Sequence, residues 1–188
     1  NRNLIDNLEE AKLNLEQKVF ERTREIERQR INITDSILYA SRIQKALMQP
    51  SEELDKLMPS HFIMNKPKDI VSGDYFWVSN KKERVIIAVA DCTGHGVPGA
   101  FMSILGISFL DEIVNNLDTL RANDILNELR DHIIKALGQT GQRDEASEGM
   151  EMAVCVVDFK NKVVQFSGAF RPMYLISQGE LNVIRGDR

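Results

Sequence analysis

Asp91 ends the apolar run "RVIIAVA" and opens the stretch "DCTGHGVPGAF", in which Gly94, Gly96 and Gly99 spell G-x-G-x-x-G. That spacing suits a dinucleotide loop only inside a parallel βαβ unit with an acidic residue ending the second strand. Here the run before the loop is expected to pair back on "DYFWVS" through the polar turn "NKKE". The segment after the loop is helical and leads to another helix, so the context is wrong for a dinucleotide. A phosphate loop is excluded as well, because no Lys-Ser or Lys-Thr follows the glycines. What remains is a short carboxylate at a strand end, a glycine-rich turn, and a helix N-terminus whose free N–H groups favour an anion.

A second carboxylate stands in "VSGDYFW", where Asp74 follows Gly73 at the start of the partner strand. An antiparallel hairpin brings the start of one strand and the end of the next to the same sheet edge, so Asp74 and Asp91 can share a site. Hard divalent cations such as Mg²⁺ and Mn²⁺ take oxygen ligands and retain waters, and a few carboxylates with a backbone carbonyl suffice for them. The competing reading is that both aspartates only cap turns. Spacing alone leaves the two open.

The elements that must hold these residues read as α+β. The segment "VPGAFMSILGISFLDEIVNNL" is expected as a buried helix starting near Pro98. The segment "NDILNELRDHIIKAL" places Ile125, Leu126, Leu129, Ile133 and Leu137 on one helical face. After the polar loop "GQTGQRDEASEG", the runs "MEMAVCVVDF", "KVVQFSGAF", "PMYLIS" and "ELNVIR" are expected as an antiparallel meander. Met102, Leu105 and Phe109 form a core stripe at helical spacing.

Upstream, residues 4–48 contain no Gly or Pro and predict one long helix. A heptad places Ile5, Lys12, Val19, Ile26, Ile33 and Ala40 at one core position and Leu8, Leu15, Arg22, Gln29, Ser36 and Ile43 at the other. A solvated helix docked on its own domain fits this pattern. A dimeric coiled coil with polar core positions fits it better and suits a signalling linker. The expected organisation is therefore a helical linker over 1–48, a connector over 49–59 framed by Pro50 and Pro59, and a domain over 60–188.

Composition narrows the function. The 188 residues are 43% hydrophobic and 28% charged, with a net charge of −4. This acidic balance argues against a nucleic-acid module, which needs a basic face. Cys92 and Cys155 are too few and too far apart for a disulfide framework or a zinc site, so a cytoplasmic location is expected. No membrane segment or signal peptide is read from the sequence. The first residues look like a cut made inside a helix.

Taken in order, "SGDYFWV", "IIAVADCTGHGVPGAFMS", "EGMEMAVCVVD" and "VQFSGAFRPMYLI" resemble the SpoIIE-like bacterial branch of the metal-dependent (type 2C-like, PPM) serine/threonine protein phosphatases over roughly residues 60–188. The upstream "FERTREIERQRINITDSILYASRIQKALM" resembles the helical linkers that join such domains to sensors. The resemblance implies an αββα sandwich of two antiparallel sheets flanked by helices, with two Mn²⁺ or Mg²⁺ ions at one edge. Residue by residue, it implies Asp91 as the bridging and catalytic carboxylate, Asp74 as a metal ligand and Cys92 as a backbone-carbonyl ligand. Gly73, Gly94 and Gly96 would shape the loop. Such a centre activates a water for in-line attack on a phosphoserine.

The resemblance also implies a phosphorylated regulatory partner of the anti-sigma-factor-antagonist type and a homodimer formed through the N-terminal helix. The family's last metal aspartates follow a point beyond "VIRGDR", and Asp187 does not replace them, so weak metal binding and slow turnover are expected. The alternative is a non-catalytic phosphatase-fold binding module. His95 follows Asp91 by four residues where eukaryotic relatives place a general-acid histidine after two, and it is read as structural. Glu148 and Glu151 flank Gly149 where many relatives of the resembled family carry aspartates and could reach the site, but a solvated loop is the favoured reading. Lys66, Lys68 and Asp69 could steer a phosphate, but surface charges are the favoured reading. Cys92 is a candidate for redox sensitivity.

Overall fold

The computed structural model describes residues 2–48, 55, 56, 58, 60–118, 121–140 and 148–187. Its elements are α1 (Arg2–Leu47), β1 (Tyr75–Lys81), β2 (Arg84–Cys92), α2 (Val97–Asn116), α3 (Ala122–Leu137), β3 (Met150–Asp158), β4 (Val163–Ala169), β5 (Met173–Ser177) and β6 (Glu180–Ile184). The chain divides into two compact units, 1–40 and 41–188.

The first unit is helix alone. Ile5, Leu8, Leu15, Val19, Ile26 and Ile33 all stand exposed on it. Polar i, i+4 pairs such as Lys12 with Glu16 at 3.8 Å line its surface. The end of α1 belongs to the second unit, where Ser41, Gln44 and Met48 are buried. Packing of the domain thus begins within the segment expected to be linker. The connector expected at 49–59 lies mostly outside the described residues, as does 141–147 in the loop before β3.

In the second unit, β1 to β4 form one antiparallel sheet in that order, and β5 pairs with β6 in another. The turn between β1 and β2 places Lys82 at φ 52° and Glu83 at φ 61°, the mirror-type conformation that matches strand twist. Alternation on β2 sends Ile86, Ala88, Ala90 and Cys92 to one face, where all are buried. Met152, Val154 and Val156 of β3 continue that face, and Ile107, Leu110, Ile125 and Leu129 of the two helices cover it.

α2 starts as expected, with Pro98 in its first turn. It is long and apolar enough to cross a membrane, yet half of that stretch is buried inside the domain, where α2 serves as its core helix. Of the anticipated stripe, Met102 is buried while Leu105 and Phe109 are half-buried. On α3, Ile125, Leu129 and Ile133 are buried, but Leu137 is exposed at the last turn before the left-handed cap Gly138.

The fold is α+β with two antiparallel sheets, but the expected continuous meander is broken. β4 and β5 do not pair because Phe170 turns the chain at φ 61° and Pro172 follows two residues later without an N–H to donate. Instead, Ala169 bridges to Asp187, and the N–H of Phe170 donates to the Asp187 carbonyl at 3.0 Å.

Candidate functional site

The β1–β2 register pairs Tyr75 with Ala90, which sets Asp74 and Asp91 as the next pair outward at the sheet edge. On the other side, β2 pairs Asp91 directly with Glu151 of β3. Cross-strand neighbours share a face, so three carboxylates stand in one row across three strands. Glu151, for which a solvated loop was favoured over a place at the site, is therefore in the sheet and in the row. Glu148 remains outside it, exposed, with its carbonyl accepting from Gln139 Nε2 at 2.6 Å.

Like charges directly opposite each other are destabilising, and the row carries that tension. The Asp74 carboxyl is held above its usual range, first by burial and then by its hydrogen bond to and the charge of Asp91, with Arg171 pulling the other way. Arg171 is the cation that answers the row. Its Nη2 donates to Asp91 Oδ2, and its Nε lies 2.9 Å from Glu151 Oε2. The second contact is electrostatic only, since Nε is buried without a hydrogen bond.

Arg171 did not figure among the sequence-derived candidates. Its placement depends on Phe170, whose left-handed conformation costs a bulky residue about 1–3 kcal/mol and persists only where the surroundings enforce it. Gly168 and Gly186 provide that enforcement, because a Cβ on Gly168 would collide with the Arg171 carbonyl and one on Gly186 with the Gly168 backbone.

The glycine loop that follows Asp91 is tied down on both flanks. The Thr93 N–H donates to the Gly149 carbonyl at 2.9 Å, and the Gly149 N–H donates to Thr93 Oγ1 at 3.2 Å. Gly94 at φ 84° and Gly96 at φ 66° take conformations that other residues resist. His95 Nδ1 lies 2.8 Å from Asp69 Oδ2, so Asp69 is the loop's partner rather than a free surface charge. His95 itself is exposed.

Gly73 and Gly99 meet backbone to backbone. A Cβ on Gly99 would lie 2.9 Å from the Gly73 Cα and 2.8 Å from the Gly94 carbonyl oxygen. The third glycine of the loop, whose role was not legible from spacing, is what lets α2 pack against the entry to Asp74. The Cys92 side chain is buried, and burial, followed by the charges of Asp74 and Asp91, pushes its thiol up to about 12. A buried thiol so raised gives no support to the redox reading.

Asp74, Asp91 and Arg171 lie on a cavity of about 660 Å³ whose floor is apolar, formed by Phe76, Val89 and Phe166 among others. Lys66 lies on the same cavity. The donor chemistry fits a hard divalent cation: two facing carboxylates, an adjacent carbonyl, and a row that already draws a guanidinium. Among the described residues, no group of three or more His, Cys, Asp or Glu side chains meets at metal-binding distances. Asp74 and Asp91 are thus the acidic pair available.

The profile of the family described as Stage II sporulation protein E (SpoIIE) matches residues 81–186, more than half the chain. Among solved structures, the SiaA-PP2C domain of Pseudomonas aeruginosa is 31% identical and superposes with a TM-score of 0.75. The alignment covers 85% of this chain but 62% of that domain. A Stage II sporulation E family protein from Thermanaerovibrio acidaminovorans is 16% identical, with a TM-score of 0.46 over 57% of this chain and 51% of that one. The RsbU and RsbW domains of a Mycobacterium tuberculosis protein give 23%, 0.49, 63% and 31% for the same four quantities. No curated protein sequence matches the chain.

Proposed function

Since this chain belongs to the SpoIIE family and carries a PP2C-type phosphatase domain, we propose that it hydrolyses phosphoserine or phosphothreonine on a regulatory protein at the Asp74–Asp91 edge, with Mn²⁺ or Mg²⁺ as cofactor. The observation that carries this reading is the register, which stands Asp74, Asp91 and Glu151 in one row beside an open cavity. Asp74 and Asp91 would hold the cation with the Cys92 carbonyl, consistent with a family whose phosphatases are generally metal-dependent. When bound, a divalent cation neutralises phosphoryl oxygens and lowers the pKa of water at neutral pH.

The chain's own residues do the rest. Asp91, fixed between two ladder neighbours, keeps its carboxylate in place. The clasp of Thr93 with Gly149 holds the loop while substrate enters, and Gly94 and Gly96 leave the approach free of side chains. The apolar floor beneath the row limits the water around the phosphoryl group. With two carboxylates and a carbonyl the affinity for metal is modest, so turnover is slow at low metal concentration.

The exposed apolar stripe of α1 supports dimerisation with a second copy, and through it regulation by an upstream sensor. A monomer in analytical ultracentrifugation, both with and without residues 1–48, would remove this part of the reading. The partner is proposed to be a phosphorylated anti-sigma-factor antagonist, encountered in the cytoplasm.

The experiment is hydrolysis of a phosphoserine protein with and without millimolar Mn²⁺, beside Asp91→Asn and Asp74→Asn. Turnover that needs Mn²⁺ and falls at least about a hundredfold in Asp91→Asn is expected. Binding of the phosphoprotein without hydrolysis would instead favour a non-catalytic module.

A further inference from the structure

Arg171 stands where the site is most negative, and its hold there is shallow. One guanidinium faces three carboxylates, touching Asp91 and Glu151 and lying near enough to Asp74 to act on its charge. Its side chain is 42% exposed, and those of Asp91 and Glu151 are 49% and 48% exposed. A pair exposed to that degree shifts an equilibrium by only about two- to fivefold. One of the two contacts lacks hydrogen-bond geometry altogether. A divalent cation at the same oxygens brings twice the charge and needs no directional fork.

The turn that aims Arg171 is nevertheless built with care, as the left-handed Phe170 and the close approach of Gly168 and Gly186 show. Strain of this kind collects where a side chain must point at a functional site rather than where a surface charge is merely solvated. A planar guanidinium also matches two oxygens of a phosphate monoester better than an ammonium does.

We propose that Arg171 is the exchangeable counter-cation of this site. In the metal-free chain it neutralises Asp91 and Glu151. A divalent cation entering at Asp91 displaces it, and the released guanidinium then binds the phosphoryl oxygens of a phosphate monoester. This rests on the reading of Asp74 and Asp91 as the cation site, and the test separates the two.

Mn²⁺ binding is followed by loss of the free-ion electron paramagnetic resonance signal for the unaltered chain, Arg171→Ala, Arg171→Lys and Asp91→Asn. The expected result is binding tighter by roughly 3- to 10-fold in Arg171→Ala, since two weak competing pairs are removed, with Arg171→Lys between, and binding lost in Asp91→Asn. If Arg171→Ala binds Mn²⁺ no more tightly while Asp91→Asn loses it, the counter-cation role is wrong and the cation site stands. If Asp91→Asn binds like the unaltered chain, the cation site itself is wrong.

At saturating Mn²⁺, calorimetric titration with inorganic phosphate should show Arg171→Ala weaker by about tenfold or more, as for loss of a charged hydrogen bond. Lys66→Ala, on the same cavity, should change it less. Equal phosphate affinity with and without the guanidinium would overturn the second half of the proposal. Should Arg171→Ala fail to fold by circular dichroism, Arg171→Lys carries both measurements in the same direction with smaller changes.

Discussion

Gln44 and Ser72 hold each other in both directions: Gln44 Nε2 donates to the Ser72 carbonyl at 2.6 Å, and the Ser72 N–H donates to Gln44 Oε1 at 3.1 Å. Ser103 of α2 joins them, its hydroxyl accepting from Gln44 Nε2 at 2.6 Å and lying 2.9 Å from the Ala100 carbonyl it can donate to. All three residues are buried. The last turns of α1, the chain entering Asp74 two residues on, and the first turns of α2 are therefore joined by one polar knot.

Removing one member of such a knot leaves the others buried and unpaired, which is what makes these bonds costly to break. Gln44→Ala is expected to lower stability by about 1–3 kcal/mol, read from the urea midpoint at constant slope. A loss below a few tenths would mean that water replaces the amide without penalty.

A pH effect follows from the outer end of the same sheet. Asp158 is held below its ordinary value of 3.8, first by the Asn161 N–H, next by the Asn161 side chain, and then by Arg84, its ladder partner. A depressed folded-state pKa means that the ionised form is the favoured one. Its contribution is complete above the unfolded value and disappears as pH falls through the folded value. Asp158→Asn should therefore lower the urea midpoint at neutral pH and flatten its decline below pH of about 4. Parallel curves for the two proteins would contradict the assignment.

The buried thiol at the site gives a chemical readout. With its pKa raised to about 12, Cys92 presents a thiolate fraction of about 10⁻⁴ at pH 8. In a Cys155→Ala chain, a thiol reagent such as a disulfide-exchange dye should label nothing in the folded state and one group after denaturation. Rapid native labelling would mean that the β2 end opens readily.

The hairpin and its facing aspartates were legible because strand alternation and a short polar turn are local signals, and two residues of opposite strands reach one edge by simple counting. The start of α2 was legible from Pro98 for the same reason. Arg171 was not, since it reaches Asp91 across 80 residues of sequence through a turn whose handedness at Phe170 no residue type announces. Glu151 was only half legible: the expected strand "MEMAVCVVDF" already contained it, but the neighbouring Gly149 favoured a loop, and only the register sets it opposite Asp91. Gln44 was hidden by the unbroken helical character of α1, which gives no sign of where the helix stops being solvated.

Gly99 offers the sharpest separation between a turn glycine and a contact glycine. Gly94 has a positive φ of 84° and open space where a Cβ would go, so Gly94→Ala pays only for the left-handed conformation, about 1–2 kcal/mol. Gly99 has ordinary helical conformation but no room, with its Cβ meeting backbone of Gly94 and Gly73 at 2.8 and 2.9 Å. Backbone cannot rotate aside as a side chain can, so Gly99→Ala must push α2 away from the two segments that carry Asp91 and Asp74. The expected outcome is a stability loss of about 1–3 kcal/mol, as for overpacking, together with weakened Mn²⁺ binding. Gly94→Ala should lose stability with Mn²⁺ binding less affected. If both variants lose stability but bind Mn²⁺ alike, the Gly73–Gly99 contact serves packing and does not set the spacing of the two aspartates.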